Sequence, residues 1–340
     1  MNDFFRFDTD EERRALFIRA RKVALSAIQQ YDIEWDNIRF IQLSDTITYK
    51  IETSTDYHYL LRIHSDRLSK EEIRSELLLL QALNKSKDLK VPEGIANRDG
   101  IYVLEIETEM GYRRPYVTMM RWVEGEKATG DFTDSHAYHM GVLISRLHEA
   151  AKDFNPPSDF VRPVWGVENF KRELAKLERY HERFLSGEAW KLYQDAAEKV
   201  VSQLTIMMRP SEHTYGLIHA DLHTDNMVFN DNQPSPIDFG RCGYGYYLYD
   251  MAGTLLELWP KHRWMLIQGY ESIRKLEADY TRNLECFFIM ILIKNYCHHA
   301  SDPRETASLI EEQKYAQAYI REYLNGNPFL FQVIEPVIPA

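Results

Sequence analysis

Asp221, Asn226 and Asp238 have types and a spacing that could do chemistry together. The first two lie five positions apart in "HADLHTDN", and the third comes twelve residues later in "PIDFG". Short apolar runs, "GLI" and "MVF", flank them, and the turn "NDNQ" separates the runs from "PIDFG". That pattern predicts a short hairpin with its polar groups gathered on loops at one end. One carboxylate and two further oxygen donors meet the needs of phosphoryl transfer. A carboxylate can take the proton of an accepting hydroxyl, while magnesium uses one or two side-chain oxygens and completes its shell with phosphate. His219, Asp221 and His223 also have the H-x-D-x-H spacing of a facial iron site. Such a site draws its second histidine from a distant strand of a β-sandwich, and the second half of this chain predicts no sandwich.

The elements that must position these residues can be read from periodicity. "TDEERRALFIRARKVALSAIQQY" predicts a helix with Thr9 or Asp10 as N-cap. "NIRFIQL", "TYKIETS" and "YHYLLRIH" predict an antiparallel meander, and "GIYVLEIE" and "RPYVTMMRWVEG" two further strands. Between these groups, "SKEEIRSELLLLQALNK" has an apolar stripe at Ile73, Leu77, Leu80 and Leu83, and Glu76 falls inside it. A carboxylate on a core-facing stripe must be paired or lose several kcal/mol. After Gly125 the chain reads as helices, apart from the Pro-rich "NPPSDFVRP" and the hairpin. The predicted class is α+β, with a first unit over 1–124 and a second over 125–340.

Composition narrows the function. The formal charge of −11 excludes a broad basic surface for nucleic acid and leaves cationic small molecules open. Cys242, Cys286 and Cys297 form no C-x-x-C pair, so reduced thiols in a cytoplasmic protein are expected. The most apolar run, "CFFIMILI", is far shorter than the roughly 20 residues of a membrane span. No membrane partner is therefore expected.

"HADLHTDN" and "IDFG" together resemble the H-x-D-x-x-x-x-N catalytic loop and D-F-G of protein kinases and of the aminoglycoside phosphotransferase and choline kinase group. The likeness runs from about residue 36 to 325. It implies a two-lobed kinase-like fold, ATP and Mg2+ as cofactors, Asp221 as catalytic base, and Asn226 and Asp238 as metal ligands. Arg62 in "YHYLLRIH" is similar to the basic residue on the nucleotide phosphates, and Glu76 to the helix carboxylate that pairs with it. Met120, Arg121, Trp122 and Val123 resemble the segment whose backbone binds adenine. His219 would support the loop base. Asp250 in "YYLYDMAGTL" would brace the loop from below, or would N-cap a helix beginning at Met251.

Two departures stand out. "QLSDTITYK" has no glycine where protein kinases carry a Gly-rich loop, so Ser44, Thr46 or backbone amides would have to meet the phosphates. Arginine stands at position 62 where lysine is familiar, and its fork of donors suits both phosphate and carboxylate. Only nine residues separate Gly240 from Asp250, too few for a peptide platform. The resemblance thus favours a small-molecule hydroxyl acceptor of the aminoglycoside, choline-like or amino-alcohol class. The alternatives are a bacterial stress-type Ser/Thr protein kinase and a catalytically silent nucleotide-binding regulator. By the same resemblance, acceptor-binding residues fall within 165–210 and 255–325.

Overall fold

The computed structural model describes residues 3–7, 9–55, 57–128, 132–207 and 210–339. The chain divides into two compact units, residues 1–124 with 154–162, and residues 125–153 with 163–340.

The first unit begins with α1 (Asp10–Ile28), capped by Thr9. The Thr9 hydroxyl accepts from the Glu12 N–H while the Glu12 carboxylate accepts from the Thr9 N–H, so two N–H groups at the helix end are satisfied at once. Strands β1 (Asn37–Leu43), β2 (Thr46–Glu52) and β3 (Tyr59–His64) form the expected meander. Helix α2 (Lys70–Leu83) follows, capped in the same way by Ser69 and Glu72. Short strands β4 (Glu93–Ile95) and β5 (Leu104–Glu105) then pair with β6 (Tyr116–Arg121). The antiparallel sheet has the order β1-β2-β3-β6-β4, with β5 also on β6.

Strand alternation sorts the two faces of this sheet. Ile47, Ile51, Leu61, Ile63, Val117 and Met119 join one core with Leu16, Ala20, Val23 and Ala27 of α1. The opposite face carries Thr48, Arg62 and Thr118 side by side in register, and α2 meets Arg62 there.

Two expectations for this unit are corrected. Most of "GIYVLEIE" is not strand; only Leu104 and Glu105 pair, and the place beside Met119–Arg121 belongs to β4 instead. Gly94 allows that approach, since a β-carbon there would lie 2.9 Å from Leu77 Cδ2 on α2. A glycine two residues after a proline reads as a loop in the sequence, which hid the strand. Residues 154–162, expected in the second unit, group with the first. The Val161 N–H donates to Ser75 Oγ, and Arg162 donates to the Glu72 carbonyl.

The second unit holds α3 (Asp134–Lys152), α4 (Val167–Tyr180) and α5 (Gly187–Met207), followed by β7 (Tyr215–Ile218). Strands β8 (Met227–Asn230) and β9 (Gln233–Pro236) make the predicted hairpin. Strand β10 (Gly243–Tyr246), which the sequence did not suggest, pairs antiparallel with β7. Helices α6 (Tyr247–Leu256), α7 (Pro260–Glu271), α8 (Tyr280–His299) and α9 (Thr306–Asn325) complete the unit. The run "CFFIMILI" is the buried heart of α8. Among the described residues no helix is long and apolar enough to cross a membrane.

Candidate active site

The loop from His219 to Asn226 leaves the end of β7 and is held from one buried carboxylate. Asp250 is 1 % exposed, and its oxygens accept the backbone N–H groups of His219 at 2.8 Å and Ala220 at 2.7 Å. Ala220 has φ of 64°, a left-handed conformation that a residue with a β-carbon adopts only when its surroundings hold it there. Asp250 does not N-cap a helix at Met251, because α6 already starts at Tyr247 and Asp250 lies in its first turn. His148 of α3 reaches the same carboxylate, Nε2 to Oδ2 at 3.1 Å. Burial holds the His148 pKa below its ordinary value despite Asp250, so the neutral ring donates from Nε2 and accepts the Tyr270 hydroxyl at Nδ1.

His219 ties this loop to the strand that leads into Asp238. Its buried ring donates from Nε2 to the Ile237 carbonyl at 3.0 Å and packs on Phe239. His223 turns away to face Glu257 at 3.6 Å. The two rings therefore do not converge as iron ligands would.

The hairpin brings the three chemistry-bearing residues together. Its register sets Met227 opposite Pro236, and the next N–H, that of Ile237, donates to the Asn226 carbonyl at 2.9 Å. Asn226 Nδ2 donates to the Asp221 carbonyl at 2.9 Å and to Asp221 Oδ2 at 3.2 Å. With its amide nitrogen so engaged, Asn226 keeps Oδ1 free of hydrogen bonds among the described residues. Asp238, in a left-handed conformation with φ 60° and ψ 66°, is exposed, and its carboxylate likewise makes no hydrogen bond among the described residues. These two hard oxygen donors suit magnesium. Among the described residues no three His, Cys, Asp or Glu could hold a metal unaided, so an ion here would need phosphate oxygens to complete its shell.

Two basic residues of this unit escaped the sequence reading. Arg241 Nη1 lies 3.2 Å from Asp221 Oδ1, and its Nη2 lies 3.3 Å from His298 Nδ1. A charge three residues beyond the second aspartate was the available signal. Lys294 of α8 sits over the rings of Trp165 and Tyr249. It directly follows the most apolar run in the chain, where nothing marks it as functional.

The first unit assembles a second set. Arg62 donates from Nη1 and Nη2 to the two oxygens of Glu76 at 2.6 and 2.9 Å, with both side chains almost fully buried. Burial alone would raise the Glu76 pKa, but the charges of Arg62 and Arg162 hold it below the ordinary value. Next to this pair, burial and the Arg62 charge push His64 down to about 3, so its neutral ring meets Thr118 Oγ1 at 2.9 Å. Arg62→Ala should destabilise this unit by about 3–5 kcal/mol, the scale for stranding one buried partner. The double change with Glu76→Gln should recover part of that loss. Additive losses in denaturant melts would show that the two do not interact.

Other expected residues lie apart from this pair. Ser44 is exposed in the β1–β2 turn, where its N–H donates to the Thr46 carbonyl at 2.9 Å. The segment Met120–Val123 is narrowed as an adenine-binding candidate. Met120 pairs with Leu60 on one side and Gly94 on the other, Arg121 with Tyr59 and Glu93, and the Trp122 N–H donates to the His58 carbonyl. Within the segment, Val123 is the residue for which no main-chain hydrogen bond is found among the described residues.

The sequence model of the family described as "Phosphotransferase enzyme family" matches residues 39–283. The chain belongs to that family. Amicoumacin kinase of Bacillus subtilis is 25% identical over 357 residues, covering 94% of this chain and 96% of its own. Homoserine kinase of Bartonella tribocorum is 25% identical over 242 residues, covering 67% and 69%. Two solved structures share the fold. One is an amicoumacin kinase in complex with AMP-PNP, Ca2+ and Ami, with TM-score 0.75, 18% identity and coverage of 94% and 97%. The other is a microcompartment-associated aminopropanol kinase, with TM-score 0.73, 23% identity and coverage of 91% and 99%. The small antiparallel sheet unit and the larger helical unit of this phosphotransferase are thus those of the kinase-like fold. It is a kinase acting on small-molecule hydroxyls.

Proposed function

We propose that this phosphotransferase moves the γ-phosphate of ATP to the hydroxyl of a small molecule of the amino-alcohol kind. The observation that carries the reading is the joint placement of Asp221, Asn226 and Asp238, with Asn226 fixed to Asp221 by its own amide. Asp221 takes the hydroxyl proton as the acceptor oxygen bonds to the γ-phosphorus. The bond from that phosphorus to the β–γ bridging oxygen breaks, and ADP leaves with the electron pair. Asn226 Oδ1 and the Asp238 carboxylate would hold Mg2+, which neutralises phosphate charge when bound. Arg62, fixed in direction by Glu76, would lie on the α and β phosphates, and the Val123 backbone on adenine. Asp250 and His219 act by positioning the loop.

The span from Gly240 to Asp250 supports a small acceptor, since a short turn, β10 and the first turn of α6 occupy all of it. The net acidity of the chain and the relatives that act on amicoumacin and aminopropanol support an amine on the acceptor.

Millimolar MgATP should raise the melting temperature by several degrees, because a ligand at 100 times its Kd adds about 2.7 kcal/mol to the folded state. ATP without magnesium should do much less. A melting temperature that stays flat across the MgATP titration would contradict the nucleotide assignment.

A further inference from the structure

The helices behind Asp221 present a half-buried cation with no ion-pair partner among the described residues. Lys294 Nζ donates to Asn169 Oδ1 at 3.1 Å and to the Tyr249 hydroxyl at 2.5 Å, both neutral oxygens. Its ammonium lies 4.3 Å from the Trp165 ring centroid and 4.9 Å from that of Tyr249. No carboxylate among the described residues lies within ion-pairing distance of it. Glu173, the nearest acid on α4, gives an oxygen to Lys176 at 2.9 Å.

This box is continuous with the candidate base. Trp165 Nε1, on the ring that Lys294 covers, donates to the Arg241 carbonyl at 2.8 Å. The Arg241 guanidinium spans from Asp221 to His298, which lies one turn beyond Lys294 on α8. Arg241 thus stands directly against Asp221, and Lys294 is joined to the Arg241 backbone through the Trp165 ring. Taking an ammonium out of water without a counter-charge is costly, and a ligand anion would supply that charge.

We infer that Lys294 and Arg241 form an anion subsite, so that the acceptor carries an oxyanion, carboxylate or phosphate, in addition to its hydroxyl and any amine. The inference rests on the proposed role of Asp221 only for the word acceptor; the anion site itself does not depend on it. Specificity follows from the box. An acceptor lacking the anion leaves Lys294 half-buried and without a counter-charge, a penalty that its charged competitor avoids.

The charge state of Lys294 agrees with this reading. Burial, with the charge of Arg241, lowers its pKa to about 7 against the opposing pull of Glu173, Cys297 and Asp221. The Cys297 thiol is itself raised to about 12 by burial and stays neutral. The ammonium is thus charged below about pH 7 and loses its proton above it. Carboxylates stay ionised throughout, so anion affinity should fall as pH rises from 6 to 9 by about tenfold or more.

The test is thermal shift and ADP release with matched probes. Serine and homoserine are compared with ethanolamine and 3-aminopropanol, and glycerate and glycerol 3-phosphate with glycerol. The wild type should bind the anionic members at least about tenfold better than their partners, and Lys294→Met should erase that preference while keeping MgATP stabilisation. Glycerate against glycerol 3-phosphate tells carboxylate from phosphate. Equal binding of anionic and non-anionic partners, no anionic binder at all, or an unchanged preference in Lys294→Met overturns the inference. If Lys294→Met does not fold, Lys294→Gln is measured in its place, and an unchanged preference in that variant is again the overturning result. Failure of MgATP to stabilise either protein would instead count against the nucleotide roles and leave the anion comparison readable.

Discussion

Asp221→Asn will lower kcat by about 10² or more, the scale of a lost general base, and will leave MgATP affinity nearly unchanged. Asparagine keeps the size of aspartate and can still accept from the Asn226 amide, now 3.2 Å from Oδ2. It cannot take the hydroxyl proton. Asp221 keeps about a third of its side-chain surface, and so does Arg241, so breaking their ion pair should cost little stability. The loss should therefore be confined to rate. Steady-state kinetics beside a melting curve checks both parts, and a variant with wild-type kcat would remove Asp221 from the role of base.

Asp238→Asn should behave differently. Its carboxylate is exposed and uncommitted among the described residues, so the substitution disturbs no internal bond and removes only a negative charge that would face magnesium. The magnesium concentration needed for half-maximal nucleotide binding should rise by about 10- to 100-fold, with rate falling in parallel. A magnesium titration of both variants separates the roles. If Asp221→Asn loses MgATP binding while Asp238→Asn retains it, the assignments are reversed.

Local signals made much of this molecule legible in its sequence. The N-cap of α1 at Thr9, the stripe of α2 and the alternation of the meander are all set by residues within a few positions of each other. The buried Glu76 was legible for the same reason, since an acid inside an apolar stripe must find a partner, and Arg62 is that partner. The hairpin of β8 and β9 followed from its turn.

Long-range pairing was much less legible. Strand β10 finds β7 across 25 residues, and its repeated glycines read as a loop; a β-carbon at Gly243 would come within 2.3 Å of the Pro163 carbonyl. The return of residues 154–162 to the first unit depends on Ser75 and Glu72, about 90 positions away in the chain. The same limit concealed Arg241 and Lys294. An arginine after D-F-G and a lysine ending an apolar helix run look like ordinary solvated charges until Asp221, Trp165 and Tyr249 are seen around them.

The most direct test of the phosphotransferase account is 31P NMR of the products formed from MgATP and the probe acceptors, with wild type and Asp221→Asn in parallel. The account predicts one phosphomonoester on the acceptor hydroxyl for each ADP formed by the wild type. It also predicts at least about a hundredfold slower transfer by Asp221→Asn, with MgATP still bound. Inorganic phosphate as the sole product of the wild type across the panel, or equal transfer by both proteins, would contradict it.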